Sequence, residues 1–199
     1  MKLGGELSMA ETPSRMIELG TMAPEFTLPD VVSGQMVSLN SFAGRKALLV
    51  MFICPHCPFV KHVQEELARL GRDYHDRDVA IIAISSNDAE SYPDDSPPRL
   101  KDMAERLGLR FPFCYDESQE IAKAYGAECT PDFFLFDATR KLVYRGQLDG
   151  SRPGNGVPVT GIDLRLALDS VLSDLPVDRN QKPSIGCNIK WKPGNEPAS

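Results

Sequence analysis

Two sulfurs two residues apart, in Cys54-Pro55-His56-Cys57, are the side chains of this sequence best suited to chemistry. They follow the apolar run Ala47-Leu48-Leu49-Val50-Met51-Phe52-Ile53. After them Val63, Leu67 and Leu70 recur at helical spacing, with Gln64, Glu65, Glu66 and Arg69 between. The sulfurs therefore lie at a strand-to-helix junction. Free backbone N–H groups and the positive end of a helix dipole favour a thiolate there, and the thiolate is the form of cysteine that attacks disulfides and peroxides. The same pair can close a small reversible ring, so spacing and position point to a dithiol redox centre. Cys54, nearer the loop and expected to be the more exposed, is the candidate nucleophile, with Cys57 further into the helix. His56 either tunes the thiolate or is a solvated side chain. Pro58 lacks the N–H that a helix starting at Cys54 would use, so the helix starts either at Cys54 or near Pro58 with Cys57 as its cap.

The elements that must hold this centre are legible in the remaining pattern. Residues 46–53 and 78–85, with the unbroken apolar runs 47–53 and 79–84, are expected as strands buried on both faces of a parallel sheet. One helix is expected from the motif to about Tyr74, and another from Pro97, with Ser96 as its cap, to near Gly108. Two more are expected from Glu117 to Tyr125, between Asp116 and Gly126, and from Gly161 to Asp174 with Ile162, Leu166 and Val171 on one side. Residues 26–30 and 36–39 read as an extended pair around Gly34, and residues 111–115 as a short strand. Residues 133–136 and 142–144 read as an antiparallel hairpin. Residues 86–96 read as a polar loop in which Asp94-Asp95 is solvated charge. This order implies a layered α/β sheet with helices on both faces and a right-handed crossover. Three parts are expected: a flexible N-terminal segment at 1–15, one domain at 16–176, and an irregular tail at 177–199 that packs on it.

Composition narrows the class of function. Across 199 residues, 42% are hydrophobic and 25% charged, the balance of a globular domain. A net charge of −6 argues against nucleic acid or an anionic membrane as the partner. No apolar stretch approaches the roughly 20 residues that span a bilayer, and no apolar signal core is seen near the N-terminus. The expected compartment is the cytoplasm, where structural disulfides are rare. Five cysteines there favour catalysis or metal binding over stapling.

Four local patterns carry a family resemblance: Cys54-Pro55-His56-Cys57-Pro58; Glu128-Cys129-Thr130-Pro131-Asp132 before Phe133-Phe134-Leu135-Phe136; Tyr144-Arg145-Gly146; and Pro183-Ser184-Ile185-Gly186-Cys187-Asn188-Ile189-Lys190-Trp191. With these the chain resembles the peroxiredoxin-like redoxins of the alkyl hydroperoxide reductase/thiol-specific antioxidant group, within the thioredoxin superfold, over most of residues 16–192. The resemblance implies a three-layer α/β/α sandwich with a mixed sheet, an N-terminal β-hairpin and an irregular C-terminal tail. It also implies a cis Thr130–Pro131 bond beside the sulfurs, presenting the Thr130 backbone to a substrate strand; otherwise Pro131 simply begins an edge strand. Pro55 and His56 between the cysteines are shared with oxidising dithiol enzymes. Two departures stand out. Leu48 occupies the position of the buried Asp of thioredoxins, so the resemblance leaves the proton acceptor for Cys57 unidentified. Val50 and Cys54 occupy the positions of the Pro and Thr that shape a peroxiredoxin's peroxide pocket.

The remaining thiols divide by context. Cys114 lies in an apolar strand and reads as a small buried hydrophobe. Cys129 lies two residues before Pro131; core packing is the first expectation and an accessory thiol the second. Cys187 either resolves an oxidised Cys54 or is buried where Ile185, Ile189 and Trp191 pin the tail. Zinc sites use four ligands, often from two spaced pairs, and one pair with His62 and His75 nearby ranks metal below redox. The expectation is a thiol–disulfide oxidoreductase with no cofactor. Its partners are a disulfide-containing protein or small thiol substrate and a thiol electron donor. A thiol-dependent peroxidase and a non-catalytic redox-sensing or binding module are the alternatives.

Overall fold

The computed structural model describes residues 11–197. Its centre is a five-stranded mixed sheet of β4 (Ala47–Phe52), β5 (Val79–Ser85), β6 (Phe113–Tyr115), β8 (Asp132–Phe136) and β9 (Leu142–Gly146), in the order β6-β5-β4-β8-β9. The β4–β5 and β5–β6 pairs are parallel, and β8 and β9 run antiparallel to their neighbours. Every residue of β4 and β5 is buried, which explains their continuous apolar sequence: a strand covered on both faces has no polar side to alternate with.

Alternate residues of β4 feed two cores. Leu49 and Met51 pack with α1 (Pro58–Asp73), α2 (Pro97–Leu107) and α4 (Ile162–Leu172). Leu48, Val50 and Phe52 face α3 (Glu120–Tyr125) and the hairpin of β2 (Thr27–Pro29) with β3 (Met36–Ser38). Tyr125 anchors this second core, with Phe134 and Phe136 edge-on to its ring. Gly108 and Gly126 end their helices in the left-handed conformation, where a side chain would be strained.

Three expectations need correction. In α4 the buried face is Leu164, Ala167, Leu168 and Val171, while Ile162 and Leu166 are exposed. This helix is apolar on most sides, so the pattern did not single out one stripe. The N-terminal segment is not wholly flexible: Glu11–Pro13 form β1; residues 1–10 lie outside the described residues. Nor is the tail wholly irregular, because Ile185–Asn188 form β10. β10 lies between β1 and β7 (Cys129–Thr130), with Cys187 opposite both Glu11 and Thr130.

Candidate active site

β4 ends at Phe52 and α1 begins at Pro58, so the motif forms the turn between them. Pro58 sits at the first helical position, where its missing N–H costs nothing, and Cys57 is the N-cap. Of the two helix starts left open by the sequence, the one at Pro58 is observed. The expectation that Cys54 is exposed fails: Cys54 and Cys57 are 1% and 0% exposed. Pro55 and His56 between them reach solvent in part and close over Cys54.

The peptide bond Thr130–Pro131 is cis and lies against both sulfurs. Thr130 Oγ1 is 3.5 Å from Cys54 Sγ, and the Thr130 carbonyl lies 3.1 Å from Cys57 Sγ. The backbone edge of Thr130 is not open to a substrate strand, however, because β10 already occupies it. Gly186 makes this possible: a Cβ there would lie 2.0 Å from the Thr130 oxygen. Ser184 Oγ donates to the Pro131 carbonyl at 2.6 Å and fixes the other side of the same strand.

This docking places Cys187 Sγ 2.9 Å from Cys57 Sγ, with Cys187 1% exposed. The burial expected for Cys187 is observed, but its neighbour is Cys57 rather than Cys54. Cys129 Sγ points to the Pro131 carbonyl, 3.7 Å away, and Cys114 is fully buried. Burial pushes both of these thiols up, Cys114 to about 12, which suits packing rather than nucleophilic use.

On the other flank stands a residue that sequence reading misplaced. Asp94 is exposed, but Asp95 is fully buried and is not solvated charge. Its carboxylate accepts from the His56 backbone N–H at 3.2 Å, from Asn87 Nδ2 at 2.8 Å, and from His56 Nδ1. His56 Nδ1 is thus the protonated nitrogen, Nε2 is buried without a partner among the described residues, and the ring stacks on Tyr92. A solvated His56 is excluded by these contacts. Cys54 Sγ lies 3.8 Å from Nδ1. Cys54, His56 and Asp95 offer three metal-ligating atoms within 4.8 Å of one another, one short of the usual zinc set. His62 Nε2 pairs with Ser151 Oγ at 2.7 Å, and His75 is exposed.

The two flanks drive the two thiols apart. Burial, a hydrogen bond to Cys57 and the negative charge of Asp95 hold Cys54 well above the usual thiol range. Cys57 is held well below it by its hydrogen-bond contacts with Cys187 and Cys54 and by a backbone N–H at the helix start, Val60. Burial opposes this, and the hydrogen bonds, that of the Thr130 side chain among them, outweigh it. Of the two thiols Cys57 is therefore the more readily ionised, and when protonated its Sγ is placed to donate to the Thr130 carbonyl at 3.1 Å. The pocket beside the motif is a groove of about 410 Å³ lined by Pro55, His56, Lys61, Arg99, Met103 and Arg106, among others.

A family model described as Redoxin matches residues 18–160. An uncharacterised conserved protein of Geobacillus kaustophilus, known from its crystal structure, is 57% identical; the match covers 94% of this chain and all of that one, with a TM-score of 0.92. The thiol-disulfide oxidoreductase ResA of Bacillus thuringiensis is 27% identical over 66% of this chain and 71% of its own length. A Mycobacterium tuberculosis protein named as a peroxiredoxin is 29% identical over 58% of this chain and 68% of its own.

Proposed function

Because the chain belongs to the redoxin family and has its thioredoxin-like fold, we propose that it is a thiol–disulfide oxidoreductase working through Cys54 and Cys57. The observation that carries this reading is the pair of buried sulfurs in the turn that opens α1, both against Thr130: its Oγ1 is 3.5 Å from Cys54 Sγ and its carbonyl 3.1 Å from Cys57 Sγ. Cys54 attacks a substrate disulfide and passes its proton to the Cys57 thiolate as the new S–S bond forms. The first substrate sulfur leaves as a thiolate. Cys57 then passes that proton to the departed substrate thiolate and attacks Cys54; the Cys54–Cys57 bond forms, the bond from Cys54 to substrate breaks, and the second substrate sulfur leaves as a thiolate. Substrate gains two electrons and the protein loses two. A thiol donor restores the dithiol.

His56 and Asp95 hold the turn around Cys54, and the Thr130 hydroxyl and the Pro131 ring form the floor. Since β10 fills the Thr130 edge, substrate enters from the groove at Pro55 and His56, and this corner must give way for Cys54 to be reached. A reducing, cytoplasmic setting fits five cysteines that are all free.

One observation favours a second reading, a thiol-dependent peroxidase. The resemblance aligns Cys57 with the peroxidatic cysteine, and Cys57 is the stabilised thiolate. Insulin disulfide reduction measured against hydrogen peroxide consumption separates the two. The oxidoreductase reading expects Cys54→Ser to abolish insulin reduction, and retention of that activity overturns it. Rapid peroxide consumption that survives Cys54→Ser and is lost in Cys57→Ser transfers the assignment to the peroxidase. Absence of both activities in the wild-type protein leaves a binding module.

A further inference from the structure

We propose that Cys187 is a third redox thiol, which takes over the disulfide from Cys54 by forming a Cys57–Cys187 bond on the cis-proline edge. The proposal rests on the oxidoreductase reading and extends it from two sulfurs to three.

Geometry carries it. The Cys57 and Cys187 sulfurs are 2.9 Å apart, so a shift of about 0.9 Å brings them to the 2.03–2.05 Å of a disulfide. Three independent contacts hold Cys187 in this place. Gly186 lies against the Thr130 carbonyl, Ser184 is hydrogen-bonded to the Pro131 carbonyl, and β1 covers the outer edge of β10. A strand laid antiparallel on Thr130 with a cysteine facing the dithiol is the arrangement expected of a bound disulfide substrate. Here the chain supplies that strand itself. Cys129 and Cys114 are buried too, but their sulfurs touch no other sulfur among the described residues.

The step is an internal exchange. In the oxidised centre Cys54 and Cys57 are joined, and Cys57 no longer carries the charge that held the Cys187 proton. Cys187 loses its proton and its sulfur attacks Cys57. The Cys57–Cys187 bond forms, the Cys54–Cys57 bond breaks, and its electron pair leaves on Cys54, which takes up the proton. No electron enters or leaves, so no further oxidant is needed beyond the substrate disulfide that made the first ring. The result frees Cys54 while the two oxidising equivalents are stored behind it. A thiol reductant discharges either ring.

Non-reducing tryptic peptide mapping tests this. Cys54 and Cys57 share peptide 47–61, Cys187 lies in peptide 180–190, and neither Cys114 nor Cys129 falls in these peptides. Purified Cys54→Ser protein is reduced, then oxidised with excess oxidised glutathione, and mapped by mass. The expected product is peptide 47–61 joined to 180–190 within a monomer, in most of the protein. Oxidised Cys54→Ser that carries only glutathione adducts, or no linkage, overturns the proposal. Wild-type protein treated in the same way is expected to contain the cross-linked peptide pair alongside the internal ring of 47–61; its complete absence there overturns the exchange step. Cys187→Ser separates the two readings. If it forms the 47–61 ring while Cys54→Ser forms no cross-link, the third thiol fails alone. If it forms no ring either, the oxidoreductase reading fails with it.

Discussion

The flank of Cys54 and the flank of Cys57 sit three residues apart and are built on opposite plans. Around Cys54 the chain gathers a buried carboxylate, an imidazole and an amide from residues 95, 56 and 87. Around Cys57 it gathers sulfur and backbone: Cys187, Cys54, the Thr130 carbonyl and the first turn of α1. A carboxylate beside a thiol keeps the proton on it. Thiol and amide donors beside a thiol take the proton off. The difference teaches that a two-cysteine motif does not assign its own charge; elements far away in sequence do.

The largest test of this contrast is exchange of the roles themselves. Cys54→Ser is expected to lower insulin reduction on the order of a thousandfold, whereas Cys57→Ser leaves Cys54 trapped in a mixed disulfide that intact mass reads directly. A stable mixed disulfide in Cys54→Ser and none in Cys57→Ser would reverse the assignment. Next in size is Gly186→Ala, which attacks the Cys57 flank alone. Its methyl meets the Thr130 carbonyl at 2.0 Å, and a stability loss of about 2–4 kcal/mol in urea is expected. Asp95→Ala attacks the other flank. Loss of its hydrogen bonds costs about 2–3 kcal/mol, and removal of the charge lowers the Cys54 titration, so Cys54 alkylates faster than in wild type at the same pH. The smallest effect belongs to Cys187→Ala. It removes one hydrogen-bonding partner and raises the Cys57 titration midpoint, followed by the ultraviolet absorbance of the thiolate.

The same contrast sets a pH dependence for the reduced protein. Cys57 titrates lower in the folded chain than unfolded, so its contribution to stability is complete above the ordinary thiol value of about 8.5. It shrinks as pH falls from there toward the depressed folded value. Compared with Cys57→Ser, the reduced wild type should therefore gain stability as pH rises through neutrality, and an identical pH profile for the two would remove the thiolate from Cys57.

Much of this was legible in the chain itself. Ala47–Phe52 and Val79–Ser85 announced buried strands because nothing polar interrupts them, and the motif announced a helix start because Pro58 tolerates only that place in a helix. The cis bond at Thr130–Pro131 was accessible through resemblance. Asp95 was misread for a physical reason. The segment around it is polar, and polar composition says nothing about whether a short turn, here Pro93–Asp95, folds one carboxylate inward onto partners 8 and 39 residues away. β10 escaped notice because it is four residues long and contains a glycine, and its partner β7 has only two residues. A signal existed: Ile185, Cys187 and Ile189 alternate at the period of a strand, and Cys187 and Ile189 are buried.

The closure of β10 over the dithiol also has a place in time. Cys187 follows Cys57 by 130 residues, so a ribosome working at about 5–20 residues per second finishes the motif many seconds before it supplies the strand that covers it. During synthesis the sheet strands β4, β5 and β8 can assemble around a naked pair of sulfurs. The nascent protein thus passes through a stage in which Cys54 and Cys57 lack the cover of β10, and the third sulfur reaches Cys57 only when the late strand arrives.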